Sequence, residues 1–239
     1  DHHQGLVIIT RIRNESGEKK TIKTADRWTT VTRVGVVDGV TIGNAIDPAD
    51  KAGYAYAWID NDEFKKPDAE VELAAGDEIV YARFLAVGRS PADAFGVVAA
   101  HRGPVGTLAG WVRDHQGKGI ESSQVDVQLG DRAIPVYPND EGFFCVSLPE
   151  GSYAVTVRDI GRDTIEQTVD IKAGNETELN VGLSAEAAVE FKIRDELGRS
   201  IPCKVQFIGI NETKSPNLGP QNRAHGCVDQ YHSEKGNFR

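Results

Sequence analysis

The chain has 239 residues, 39% hydrophobic and 26% charged, with a net charge of −9. This is an ordinary globular composition, and no apolar run nears the ~20 residues of a membrane helix. Asp and Glu outnumber Lys and Arg by 36 to 27, so the clustered cations that grip a phosphate backbone are missing and nucleic acid is not an expected partner. There are three cysteines and no methionine. An odd thiol count leaves at least one unpaired in a monomer. A chain that opens on Asp1 and lacks Met is expected to be part of a longer translation product.

Taken in order, the elements are mostly short and alternate with period two. "GLVIIT", "TTVTRVGVV", "YAYAWI", "EIVYARFLAV", "QVDVQL", "FFCVSL", "YAVTV", "TVDI" and "AVEFKI" are bounded by Gly, Asp, Asn or Pro. This spacing predicts an all-β chain of tandem β-sandwich domains. In "GYAYAWIDND" the alternation puts Tyr54, Tyr56 and Trp58 on one face and Ala55 and Ala57 on the other. The aromatic row either fills a sandwich core or stacks on sugar rings, and carbohydrate is therefore the alternative ligand. Asp60, Asn61, Asp62 and Glu63 follow. They are oxygen donors, but without the order of an EF-hand, and a solvated turn is the simpler expectation.

One helix is predicted, near residues 91–102. Ser90 stands at the N-cap, Pro91 at the first helical position and Asp93 three residues after the cap. Phe95, Val98 and Ala99 recur at helical spacing, His101 and Arg102 suit the C-terminal end, and Gly103 can stop the helix. The same Ser90 sits in "VGRSPA", which lacks the last Gly of a nucleophile elbow, and capping already accounts for it.

Three domains are expected: 1–103, a β-sandwich ending in the helix; 105–183, a second sandwich; and 184–239, an incomplete third. "GWVRDHQGKGIESSQVDV" (Gly110 to Val127) parallels "FKIRDELGRSIPCKVQF" (Phe191 to Phe207), and "DEGFF" parallels "EKGNF". Asp114 and Gly117 match Asp195 and Gly198, while Gly142 and Phe144 match Gly236 and Phe238. In each unit, Asp-x-x-Gly makes a turn whose Gly takes positive φ. Asp140-Glu141-Gly142 is read as a second such turn. Phe144, Val146 and Leu148 share one face, Pro149-Glu150-Gly151 turns the chain, and Tyr153, Val155 and Val157 return to the core. Residues 175–183 are expected to form one last strand. Since the third unit stops at Arg239 inside its hairpin, the polypeptide is expected to continue.

The pattern Gly110-x-Val112, Asp114-x-x-Gly117, Gly142-x-Phe144 and Leu148-Pro149-x-Gly151-x-Tyr153 resembles the carboxypeptidase regulatory-like, or transthyretin-like, domains. The resemblance covers about a third of the chain and implies a sandwich of about seven strands. The domain order, with "IPCKVQFIG" and an Asn- and Pro-rich insertion in the third unit, resembles the front of PHP-type metallohydrolases of the carbaryl-hydrolase kind. In that family a metal-binding catalytic domain follows. The resemblance gives this chain no catalytic residue, metal ligand or cofactor. It implies a non-catalytic accessory region of an exported hydrolase-like protein, with a downstream domain of the same polypeptide as partner and an extracytoplasmic location. A carbohydrate-binding or structural stalk module of a surface protein is the alternative.

Cys203 and Cys227 flank the insertion and either form a disulfide, worth ~3 kcal/mol in the chain-entropy model, or remain free thiols. His225 and His232 beside them are zinc-type ligands without compact zinc spacing. Cys145 and Trp111 alternate out of phase with their core neighbours and are expected on the outer side of their sheet, facing a neighbouring domain or solvent. Asn14, Asn175 and Asn211 begin N-x-[ST] sequons.

Overall fold

Small residues decide how closely the N-terminal sheet and the helix approach. The computed structural model describes residues 5–24, 32–44, 51–186, 191–211, 230–233 and 237–238. The chain begins with β1 (Gly5–Arg13), β2 (Lys20–Lys23), β3 (Thr32–Val37), β4 (Val40–Asn44), β5 (Gly53–Ile59), β6 (Glu70–Leu73) and β7 (Glu78–Gly88). Five of these make an antiparallel sheet in the order β1-β7-β5-β4-β3, and β2 pairs with β6 beside it. Asp38 and Gly39, both at positive φ, turn β3 tightly into β4. Helix α1 (Pro91–Arg102) lies across β4, β5 and β7.

The helix sits almost in contact with the backbone of the sheet. Ala55, Ala57 and Ala86 are buried beneath it. A Cβ added at Gly53 would lie 2.3 Å from the Pro91 N, and one at Gly88 2.4 Å from the Ala94 N. Ser90 caps the helix as expected, its Oγ accepting from the Asp93 N at 3.1 Å. Gly103 ends it, as expected, without a left-handed turn. Its φ of 177° is extended, and its N–H donates to the Ala99 carbonyl at 3.0 Å.

The alternation in β5 therefore resolves in favour of the alanines. Ala55 and Ala57 are 0% and 4% exposed, whereas Tyr54, Tyr56 and Trp58 are only half-buried on the opposite face. Of the two alternatives, the rings do not fill the core on the α1 side, where the close approach of the helix at Gly53 and Gly88 calls for small residues.

The second sandwich comprises β8 (Val105–Arg113), β9 (Gln124–Leu129), β10 (Arg132–Val136), β11 (Phe143–Pro149), β12 (Gly151–Arg158), β13 (Ile165–Ile171), β14 (Glu176–Glu178) and β15 (Val181–Gly182). One sheet has the order β10-β9-β12-β13. The other has β11-β8-β14, with β15 also on β8. The Pro149-Glu150-Gly151 turn is consequently an arch between sheets: β11 pairs with β8, and β12 pairs with β9 and β13. The single last strand expected over 175–183 is two short pieces, both parallel to β8. Asn180 lies between them, and its Oδ1 accepts from the Trp111 N at 3.1 Å.

Helix α1 also packs on β11. A Cβ at Gly96 would lie 2.5 Å from the Ser147 carbonyl oxygen. A helix that is apolar all round must be covered all round, and α1 is covered by the first sheet on one side and by β11 on the other. Buried residues from Val37 to Leu183 form one continuous cluster across this joint. The chain then continues with β16 (Phe191–Lys192), β17 (Cys203–Gln206), β18 (Gln230–Ser233) and β19 (Asn237–Phe238). Among the described residues the fold is all-β with one helix, as the sequence indicates.

Asn14, a sequon asparagine, is buried just after β1. Its Nδ2 donates to the carbonyls of Glu18, Leu73 and Ala74 at 2.8–2.9 Å, and its Oδ1 accepts from the Ser16 N and Oγ. The amide is fully engaged as a structural link between β1, β6 and the turn before β7, which is incompatible with a glycan on it. Asn14→Ala strips the donors from three carbonyls and is expected to cost about 2–3 kcal/mol in urea denaturation.

Candidate functional site

Three turns use one device. Asp114 Oδ1 accepts from the backbone N–H of Gln116 and Lys118 at 2.8 and 2.9 Å, and Gly117 has φ +83°. Asp195 Oδ1 accepts likewise from Leu197 and Arg199 at 3.0 and 2.8 Å, with Gly198 at φ +78°. Asn139 does the same for Glu141 and Phe143 at 3.1 and 2.8 Å, with Gly142 at φ +78°. The second turn is thus anchored by Asn139, one residue before the Asp140 that the sequence suggests. The register past the turns also agrees: Gly110 lies opposite Phe144 and Trp111 opposite Phe143, as Phe191 lies opposite Phe238 and Lys192 opposite Asn237.

The backbone N–H of Lys118 holds the Asp114 carboxyl below its usual value of 3.8, and that of Arg199 does so for Asp195. A carboxylate depressed by folding stabilises above its unfolded pKa, and the contribution is lost as pH falls through the folded value. Asp114→Asn keeps the acceptor oxygen, as Asn139 demonstrates. It should fold normally and flatten the fall in urea midpoint below about pH 4.

The remaining unit residues serve the core and the arch. Phe144, Val146 and Leu148 are buried, as are Val155 and Val157. Tyr153 is half-buried instead, and its hydroxyl donates to the Pro149 carbonyl at 2.9 Å, clamping the arch over Gly151.

The aromatic row is divided. The guanidinium of buried Arg83 lies 4.2 Å from the Trp58 ring centroid and 5.0 Å from that of Tyr81. It also donates to the Thr24 carbonyl and Thr10 Oγ1, both at 3.4 Å. Trp58 thus takes part in a cation–π stack that ties the sheet to the end of β2. Tyr54 and Tyr56 lie further along the strand, opposite Val87 and Leu85.

A cleft of ≈ 470 Å³ opens at the α1 N-terminus between the two β regions. Lys51, Arg89, Asp93, Glu121, Tyr137 and Cys145 line it. Lys51 Nζ donates to the Glu121 carbonyl at 3.3 Å and lies 6.0 Å from the Tyr137 ring. Burial pushes both the Tyr137 hydroxyl and the Cys145 thiol up, the thiol against an opposing pull from Arg89. A thiol so shifted stays protonated near neutrality and is a poor nucleophile. Cys145 and Trp111 do lie on the outer side of their sheet, the thiol facing the first region. Sequence reasoning did not bring Lys51 and Tyr137 together, because only the joint made by α1 does so.

The other candidates are placed as follows. Asn61 Oδ1 accepts from the N–H groups of Glu63 and Phe64 at 3.0 and 2.8 Å, and Asp60 pairs with Lys65 at 3.7 Å, so this acidic run is a closed turn. Cys203 is half-buried on β17, opposite Ser233. Cys227 and His225 lie outside the described residues, and with them the proposed disulfide and the zinc-type set. Among the described residues, no group of three or more His, Cys, Asp and Glu could hold a metal ion. No helix among them is long and apolar enough to cross a membrane.

Residues 107–184 match the family model of the carboxypeptidase regulatory-like domain. The match spans β8 to β15 and contains the Asp114, Asn139 and Pro149 turns. No curated protein matches the chain. Among solved structures, the chain is similar to a DUF3823 family protein from Parabacteroides merdae, at 21% identity over 38% of this chain and 52% of that one, with a TM-score of 0.30. It is also similar to the streptococcal ancillary pilin, at 14% identity over 82% and 63% of the two chains, with a TM-score of 0.35. The minor pilin of Streptococcus agalactiae aligns at 13% identity over 66% and 64%, with a TM-score of 0.30. The chain spans about half the length of the first of these.

Proposed function

We propose that the chain is a non-catalytic accessory region that acts outside the cytoplasm as a rigid spacer. It holds a metal-dependent, hydrolase-like domain of the same polypeptide at a set distance and orientation. The observation that carries this reading is the joint: α1 is buried on both sides, with Gly53, Gly88 and Gly96 letting it touch the backbones of both β regions. Such packing suits a fixed geometry between modules. The carboxypeptidase regulatory-like match at 107–184 supports an accessory role, because that module is attached to proteins of many activities. In this reading residues 184–239 are part of a second copy of the module, supported by the turn that Asp195 shares with Asp114.

The test compares this chain with the longer polypeptide against ester and amide substrates, with and without chelator. Chelator-sensitive hydrolysis by the longer polypeptide alone is the expected result. Turnover by residues 1–239 themselves would overturn the accessory role.

Carbohydrate binding is the second reading, favoured by Tyr54 and Tyr56 facing away from the core. Because Trp58 is already stacked on Arg83, the binding contribution would rest on the two tyrosines. A glycan panel titrated against intrinsic fluorescence checks it. Binding lost in Tyr54→Ala supports it, and no response to any glycan removes it.

A further inference from the structure

We propose that β1 is a homodimerisation edge, on which a second copy of this chain adds its own β1 antiparallel to form a continuous ten-stranded sheet. The outer strand edges of the two β regions are not alike. At the other end of the first sheet, β3 meets β10 of the second sandwich. On β13, the outermost strand of its sheet, the Asp170 carbonyl is taken by the Thr177 hydroxyl at 3.0 Å. β1 ends the order of the first sheet, and among the described residues no strand pairs with its outer side.

Over Gly5–Thr10, β1 also lacks the devices that normally protect an edge, its two charges, Arg11 and Arg13, lying at one end. It is nine residues long, contains no Pro, and runs without a bulge from Gly5 opposite Ala86 to Arg13 opposite Glu78. Natural edges are usually short, kinked or interrupted by charge. Here Leu6, Val7 and Ile9 are 59%, 45% and 57% exposed. Ile9 and Val7 lie on the α1 side of the sheet, but α1 covers β4, β5 and β7 and stops short of β1.

The strand is complementary to itself. A two-fold axis normal to the sheet keeps like faces together, so opposed residues must have the same parity. Centred on Ile9, the pairing sets Ile9 against Ile9, Leu6 against Ile12, Ile8 against Thr10, Val7 against Arg11 and Gly5 against Arg13. The apolar residues meet in the middle. The two arginines, the charged residues of the strand, are separated from their counterparts at opposite ends, so like charges are not opposed. In a chain of net charge −9, this strand carries no acidic residue, so two copies meet there without opposed carboxylates.

Cross-linking reads the register directly. In an Ile9→Cys variant, residue 9 faces itself with Cβ atoms ~5 Å apart, near disulfide range, whereas Leu6→Cys places its two thiols ~20 Å apart. The expected results are a concentration-dependent dimer in sedimentation equilibrium, air-oxidised covalent dimer for Ile9→Cys but not for Leu6→Cys, and about 10-fold weaker association for Ile9→Arg, where an apolar pair is lost and like charges meet. Circular dichroism of Ile9→Arg should match the parent, since the side chain is exposed. A monomer at every concentration overturns the proposal and leaves the edge to a strand from another protein. So does a dimer that ignores Ile9→Arg or cross-links equally at Leu6.

Discussion

Gly142→Ala is expected to destabilise the protein by about 3–5 kcal/mol, and Gly117→Ala by only about 1–2 kcal/mol, in paired urea titrations. The two glycines occupy the same position of the same kind of turn, at φ +78° and +83°. Both substitutions meet the left-handed strain of an L residue. The difference is in the surroundings. A Cβ at Gly117 meets nothing within 4 Å, whereas one at Gly142 lies 2.3 Å from the Val112 carbonyl oxygen and 2.8 Å from the Gly119 Cα. Those atoms are backbone, and the Val112 carbonyl accepts from the Ile120 N at 3.0 Å while the Val112 N–H donates to the Gly142 carbonyl at 2.8 Å. Relief of the clash therefore breaks the pairing of β8 with the turn. Equal losses at the two sites would show that backbone strain alone sets the requirement for glycine.

Gly96→Val is the second large effect, expected at about 2–4 kcal/mol. Its Cβ would lie 2.5 Å from the Ser147 carbonyl oxygen and 3.2 Å from the Ser147 Cβ. β11 is fixed to β8 along its whole length, so the helix must withdraw. It is already in contact with Gly53 and Gly88 on the other side, and withdrawal shifts it against the first sheet. Tryptophan fluorescence and far-ultraviolet circular dichroism should give coincident unfolding curves for the parent chain and separate ones for Gly96→Val, as the two regions lose their common core. A variant that stays coincident and as stable as the parent would mean that the joint tolerates a spacing the packing does not allow.

Local hydrogen bonding explains what was legible in the sequence. The Asp114 turn, the Ser90 cap and the Phe144–Leu148 alternation depend on residues within four positions of one another. The turn at Gly142 is anchored by Asn139 and not by Asp140, because the Asx side chain must stand three residues before the glycine to accept from the N–H groups of Glu141 and Phe143, as Asp114 stands before Gly117. The Tyr54 row was harder. Ring size favours the core, but which face of a strand is covered depends on the partner, and here the partner is a helix that needs alanine beneath it. The cleft with Lys51, Tyr137 and Cys145 is a product of the joint, and no local pattern announces residues brought together by packing.

The rigidity of that joint is measured most directly by the distance between spin labels placed at Val36 on the first sheet and Ile160 on the second sandwich, both exposed. A single narrow distance distribution, broadened by Gly96→Val, is the predicted result for a spacer locked through α1. A broad distribution in the parent chain, unchanged by Gly96→Val, would contradict it.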